Sequence, residues 1–221
     1  MGDSKKLWLE IDKEIEADQV VLGRYASEEY INDPVHLAIV ASRYKFCARM
    51  LKNKNIVIEV GCGDGFGSPI VANSVNNLIC TDINTILLTE NKLRNHFLKN
   101  VEYCYFDFRE HVYPEKIDGI YLIDVIEHIF REEELNFMSH LTRSLTSDGV
   151  MIVGTPNINA SQYSGDCSKK AHVNLKTYDE LRILSEKFFK NVFIFGMNDE
   201  VLHTGYPEMC HFLFSLCAGP K

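Results

Sequence analysis

The sequence predicts one α/β domain built on a mostly parallel sheet, and three observations carry that reading. Short apolar, β-branched runs alternate with longer stretches of helical periodicity, the pattern of a parallel sheet with helices on both faces. A glycine-rich turn follows the first of those runs. After the last helical stretch the alternation stops, and two apolar runs follow with no helix between them.

The candidate strands are Ile56–Val60, Leu78–Thr81, Val101–Phe106, Ile117–Ile123 and Val150–Gly154. Helices are expected near Ser68–Ser74, Thr85–Phe97 and Glu132–Leu145. Thr177 and Glu180 have the spacing of a capping box, and Leu181, Leu184 and Phe188 then fall on one face, which predicts a helix over Thr177–Phe189. Val192–Phe195 and His211–Cys217 are the last two strands. The segment between them, MNDEVLHTGYPEM, is too short for a crossover helix and fits an antiparallel connection. The expected sheet has seven strands, the last two forming the antiparallel pair. Ahead of it, Leu37, Val40, Tyr44, Cys47 and Leu51 recur at three- and four-residue spacing and predict an amphipathic helix over Pro34–Leu51. Leu22–Asn32, polar and aromatic, reads as a lid. The division is a helical cap over residues 1–52 and a core over 53–221.

Composition narrows the functions. With 31 acidic against 23 basic residues the net charge is −8, which argues against a surface that tracks long nucleic acid. The seven cysteines, Cys47, Cys62, Cys80, Cys104, Cys167, Cys210 and Cys217, form no C-x-x-C pair and read as reduced thiols of a cytoplasmic protein. The N-terminus has no signal-peptide pattern, and no run reaches the ~20 apolar residues of a membrane span. Oligomeric state has no signature.

The most informative run is Glu59-Val60-Gly61-Cys62-Gly63-Asp64-Gly65-Phe66-Gly67, a strand ending in an acid and a turn of alternating glycines. The dinucleotide spacing G-x-G-x-x-G fails from either starting glycine. An acid closing the strand would repel a pyrophosphate and suits a cofactor carrying an ammonium group. S-adenosylmethionine has an amino-acid tail and no phosphate. The second strand ends in Thr81-Asp82-Ile83, where an acid accepts from ribose hydroxyls. The third ends in Asp107-Phe108, a carboxylate for an adenine edge and an aromatic ring for its face.

These motifs, with the final antiparallel pair, resemble the class I S-adenosylmethionine-dependent methyltransferases, whose fold is Rossmann-like. The resemblance implies that Gly61, Gly63 and Gly65 lie under the methionine moiety, that Asp82 holds the ribose and that Asp107 and Phe108 hold the adenine. Glu59 would shape the loop, with Ile83 and Asp124 completing the cofactor site.

The fourth strand runs into Asp124-Val125-Ile126-Glu127-His128, and the fifth into Asn157 and a polar loop that reaches His172. This pattern resembles ubiquinone-pathway O-methyltransferases. It also resembles small-RNA 3′-end methyltransferases, in which two acids and two histidines bind a divalent metal. Carried over, that set is Asp124, Glu127, His128 and His172, a donor group suited to Mg²⁺, Mn²⁺ or Zn²⁺. A hydroxyl acceptor needs a base or a metal, so Glu127, His128 and His172 are the catalytic candidates in either role. Tyr25, His36, Arg43 and Tyr44 resemble the opening of bacterial methyltransferases acting on sugar, nucleotide-linked or surface-polysaccharide intermediates. With Asn157 and His203 they are the substrate-contact candidates. The expected activity is methylation of a small polar metabolite at a hydroxyl. The alternatives are methylation of an amine or amide, RNA 3′-end methylation, and a non-catalytic cofactor-binding subunit.

Overall fold

Ile56–Val60 is short, apolar and β-branched, and it forms the central strand β1. The computed structural model describes residues 3–16 and 19–221, and the side chains of 166 and 167 are outside the description. The further strands are β2 (Asn77–Asp82), β3 (Val101–Tyr105), β4 (Ile117–Ile123), β5 (Leu145–Pro156), β6 (Phe189–Asn198), β7 (Val201–His203) and β8 (Phe212–Pro220). The helices are α1 (Ser4–Asp12), α2 (Arg24–Asn32), α3 (Pro34–Met50), α4 (Ser68–Ala72), α5 (Thr85–Arg94), α6 (Arg131–Ser144), α7 (Asp166–Ala171) and α8 (Tyr178–Phe188).

The sheet order is β3-β2-β1-β4-β5-β8-β6-β7. Strands β1 to β5 pair in parallel, and β8 inserts antiparallel between β5 and β6. The sheet therefore has eight strands rather than the expected seven. The additional strand is Val201–His203, inside the segment read as a plain connection: it folds back on β6 through Met197↔Leu202 and Gly196↔His203. Three residues are too few to leave a periodic signal in the sequence, and only the pairing partner makes them a strand.

Side chains alternate between the two faces of the sheet, as the strand period requires. Ile58, Val60, Ile120 and Leu122 pack with Phe137, Met138 and Leu141 of α6 and with Leu181 and Leu184 of α8. Val57, Tyr121 and Ile123 pack with Cys47, Ala48 and Leu51 beside and within α3, Val71 of α4 and Leu88 of α5. The capping box of α8 is formed as read, with Thr177 and Glu180 exchanging bonds. Asp33 caps α3, with Pro34 at its first position. Helix α1 buries none of its residues.

The six described cysteines are free, and Cys167 falls among the side chains outside the description. Among the described residues no helix is long and apolar enough to cross a membrane. Chain order reverses between β1 and β4, where an open parallel sheet leaves a crevice beyond its carboxyl ends. The glycine turn after β1 and Asp124 after β4 both lie there.

Candidate active site

The glycine turn is held in shape from the β2–α5 side. Gly61, Gly63 and Gly65 all have positive φ, +69°, +53° and +68°. A Cβ on Gly61 would stand 2.6 Å from the Val125 side chain, so that residue must be glycine on two counts; one on Gly63 would meet no protein atom within 4 Å. Asp82 Oδ2 accepts from the Gly63 amide at 2.9 Å, and its Oδ1 accepts from the Asn84 amide at 2.8 Å. Asn91 Nδ2 donates to the Gly63 carbonyl at 2.8 Å, and Arg94 donates to the Asp64 carbonyl at 2.6 Å. The Asp82 carboxylate thus faces the open side of the turn with acceptor capacity to spare. Ile83 beside it is 54% exposed.

Glu59 lies beneath the turn, where its Oε2 accepts from Ser68 Oγ at 2.6 Å and from Cys80 Sγ at 3.3 Å. It ties β1 to the start of α4 and to β2, and it does not reach the open side. Burial pushes its carboxyl up to about 7. Between about pH 4.5 and 7 the folded chain therefore retains a proton that the unfolded chain, with an ordinary value of 4.5, has lost. Raising the pH across this window favours unfolding. Thermal unfolding followed by circular dichroism is expected to give a lower Tm at pH 8 than at pH 5, with a smaller drop in Glu59→Gln; equal drops would show that Glu59 does not titrate this way.

The third strand departs from the sequence reading. Asp107 is buried and committed to Arg109, whose Nε lies 3.0 Å from Oδ1 and whose Nη2 lies 2.6 Å from Oδ2. That pairing holds its carboxyl below the usual carboxylate range. Phe108 is 2% exposed and packs in the core against Phe106, at 4.6 Å between centroids, and Tyr113. It offers no face to an adenine. The chain turns after β3 so that Phe108 points back under the sheet, a direction that residue type and spacing do not encode.

At the end of β4, Asp124 takes a left-handed conformation, φ +56°, and pairs with Arg43 of α3 at 2.7 Å. The Arg43 guanidinium stacks on Phe212 at 3.9 Å from the ring centroid, and its Nε is buried with no partner. A short 3₁₀ turn, Ile126–His128, follows. Glu127 is fully buried; Thr155 Oγ1 donates to its Oε2 at 3.0 Å, and its Oε1 has no partner. Burial first, and the Asp124 charge second, push the Glu127 carboxyl well above its ordinary value. His128 Nδ1 lies 3.0 Å from the Ala171 carbonyl, and its ring stands 5.1 Å from that of His172. Burial, and then the neighbouring His128, lower the pKa of His172, whose Nδ1 is buried without a partner among the described residues. Glu127, His128 and His172 bring one potential ligand atom each within 4.8 Å of one another. Asp124 is not in this group, because Arg43 holds it.

The substrate-contact candidates divide. Arg43 reaches the crevice. Tyr25 is exposed at the start of α2, whose first amides, Tyr25 N and Ala26 N, both donate to Asp64 Oδ2 at 2.9 Å. Tyr44 is a packing residue: its ring lies against Gly67 and meets Tyr121 edge-on at 6.3 Å. His36 pairs with Glu29 within the N-terminal helices. Asn157 is 1% exposed, with its amide donating to the carbonyls of Pro207 and Cys210; it fastens the loop after β5 to the one before β8 and is not available to a substrate. His203 lies on β7, four strand spacings from β4, roughly 19 Å away at ~4.8 Å each.

Three features had no clear sequence signal. Asp64 docks α2 on the glycine turn. Asn91 and Arg94 fix that turn from α5. Lys176, 3% exposed, pairs with Glu134 of α6 and with Asn174, whose backbone amide donates to the Glu127 carbonyl at 3.0 Å.

Residues 58–153 match the family model described as a methyltransferase domain. A probable S-adenosylmethionine-dependent methyltransferase of Mycolicibacterium smegmatis is 28% identical to it over 102 residues, 46% of this chain and 38% of that protein. The chain spans little more than a third of the length of such curated relatives. The methyltransferase domain of bacterial CtHen1-C superposes with a TM-score of 0.67 at 19% identity, covering 83% of this chain and 100% of that one. The N-methyltransferase NodS from Bradyrhizobium japonicum WM9, in complex with S-adenosyl-L-homocysteine, gives 0.64 at 16%, covering 90% and 98%. These likenesses place the chain in the α/β methyltransferase fold.

Proposed function

We propose that the domain transfers a methyl group from S-adenosylmethionine to a hydroxyl of a small polar metabolite, such as a sugar or a phosphorylated or nucleotide-linked intermediate, in the cytoplasm. One observation carries the cofactor: the turn at Gly63 opens outward beside Asp82, with the Arg43–Asp124 pair in the same crevice. Asp82 accepts from the ribose hydroxyls, and Ile83 offers an exposed apolar surface to the base. Arg43 and Asp124 present one charge of each sign to a tail that carries a carboxylate and an ammonium group. S-adenosylmethionine, when bound, supplies a methyl on a sulfonium that leaves as a neutral thioether. On the acceptor side, His172 is kept neutral and takes the hydroxyl proton as oxygen bonds to the methyl carbon. Calorimetry tests the cofactor directly: S-adenosylhomocysteine is expected to bind and NAD⁺ to give no heat, and the reverse result overturns the assignment.

The unpartnered Glu127 Oε1 and His172 Nδ1 fit a second reading of the same rim. Glu127, His128 and His172 would hold a divalent metal of the Mg²⁺, Mn²⁺ or Zn²⁺ class, which would lower the pKa of an acceptor hydroxyl. Mn²⁺ added at substoichiometric amounts is then expected to broaden the imidazole NMR signals of both histidines, with recovery on adding EDTA and no effect in His172→Ala. Unbroadened signals leave the histidines with the base role alone. An amine acceptor is a further alternative, supported by the fold shared with the N-methyltransferase NodS; methylated products of hydroxyl and amine acceptors separate the two.

A further inference from the structure

Behind His172 lies a cavity of about 330 Å³, lined by Ser161, Gln162, Ser164, Lys169, His172 and Leu175. Its walls come from the polar stretch between β5 and α8: a 3₁₀ turn over Ile158–Tyr163, and α7. His172 belongs both to this wall and to the cluster with Glu127 and His128, so the cavity adjoins the candidate catalytic groups. A larger cavity of about 540 Å³, bordered by Tyr113, Lys116, Arg143 and Ser147, lies by the starts of β4 and β5 and shares no residue with that rim.

The chemistry of the smaller cavity is specific. Among the described side chains its lining holds two hydroxyls, one amide, one aliphatic side chain, one imidazole and one ammonium group, and no carboxylate, in a chain where acids outnumber bases by 31 to 23. Lys169 enters no ion pair among the described residues. A helix end favours lysines in its last turn, which accounts for Lys169 and Lys170 being there. It does not account for one of them lining a cavity together with His172. An ammonium group among hydroxyl and amide donors is a recognition surface for a phosphate or carboxylate that also carries hydroxyls.

We infer that this cavity is the acceptor subsite, that Lys169 holds an anionic oxygen group of the acceptor, and that Ser161, Gln162 and Ser164 bind its hydroxyls while the reacting one meets His172. The inference rests on the methyl-transfer reading above and sharpens it. The volume is at the low end of the ~300–1,000 Å³ usual for ligand pockets. Residues three apart at the end of a helix have Cβ atoms about 5–6 Å apart, so the anion and the reacting hydroxyl belong to one small unit. Both points favour a sugar phosphate or sugar acid over a nucleotide-linked or polymeric acceptor.

The test uses the full chain with ¹⁵N-labelled histidine and saturating S-adenosylhomocysteine, with the His172 signals assigned from the His172→Ala spectrum. Glucose 6-phosphate, glucuronate, inorganic phosphate and glucose serve as probes. The expected result is a saturable shift of the His172 imidazole with one or both sugar anions and a weaker response to glucose. Comparing glucose 6-phosphate with glucuronate separates phosphate from carboxylate. Lys169→Met is expected to raise the apparent Kd of the responding anion about two- to fivefold, the scale of one solvent-facing ion pair. A glucose response equal to that of the anions, an unchanged Kd in Lys169→Met, or no His172 shift with any probe overturns the inference. Calorimetry on the same sample keeps the two readings apart. Bound S-adenosylhomocysteine without anion binding defeats only the subsite, whereas Lys169-dependent anion binding without S-adenosylhomocysteine defeats the methyl-transfer reading.

Discussion

Asp82→Ala is expected to weaken S-adenosylhomocysteine binding at least about 100-fold, because two hydrogen bonds to a charged acceptor, each contributing about 1.5–3 kcal/mol, disappear together. The side chain has a second function in the same place, since its Oδ2 also accepts from the Gly63 amide. Removing it therefore deletes the proposed ribose acceptor and loosens the turn on which the methionine moiety would rest. Calorimetry measures the loss, and thermal unfolding of the same variant separates it from misfolding. Asp82 is half-buried at a strand end rather than in the core, so the variant should stay folded. A folded Asp82→Ala that binds S-adenosylhomocysteine as tightly as the native chain would remove the crevice model.

Lys176→Met should have the largest effect on stability. Lys176 is 3% exposed, and the Glu134 side chain facing it is 14% exposed. Without the ammonium group the Glu134 carboxylate loses its counter-charge and keeps only the Asn174 amide, and the Asn174 carbonyl oxygen loses its donor. Breaking a buried pair from one side typically costs about 3–5 kcal/mol, which corresponds to a fall in Tm of roughly 6–20 °C for a chain of this size. The double variant Lys176→Met/Glu134→Leu is expected to recover much of the loss, because no unpaired charge is left behind. A single variant within about 1 kcal/mol of the native chain in denaturant unfolding would show the pair to be dispensable. The strut also bears on the site. Asn174 donates to Glu134 through its side chain and to the Glu127 carbonyl through its backbone, and the Lys176 carbonyl accepts from the Ile158 amide. Lys176 thus joins the segments that carry Glu127 and His172 to the wall of the smaller cavity.

Local chemistry made most of the fold legible. Strands β1 and β4 begin and end where their apolar runs do, and the capping box at Thr177 and Glu180 starts α8. These signals are read residue by residue and need no distant partner. Strand β7 and helix α7 are too short to carry periodicity, and β7 is defined by its pairing with β6. Phe108 illustrates the same limit at the site. An aromatic residue after an acid at a strand end has the composition of an adenine clamp, but the turn after β3 sends it into the core.

The sequence by itself determined the alternation that makes a parallel sheet, the glycine turn that rejects a dinucleotide, and the acid at Asp82 beside it. Each depends on a fixed short spacing, because backbone conformation at Gly61 and Gly63 and the end of a strand are local properties. Only the tertiary structure decided which of the polar residues on the rim share a site. Arg43, 81 positions before Asp124, takes that carboxylate away from the candidate metal group. Glu127, His128 and His172 meet because the chain between β5 and α8 folds back against the turn after β4, and Lys169 enters the same neighbourhood on α7. Long-range packing sets which charges neutralise one another and which stay available, and that arrangement has no counterpart in local sequence.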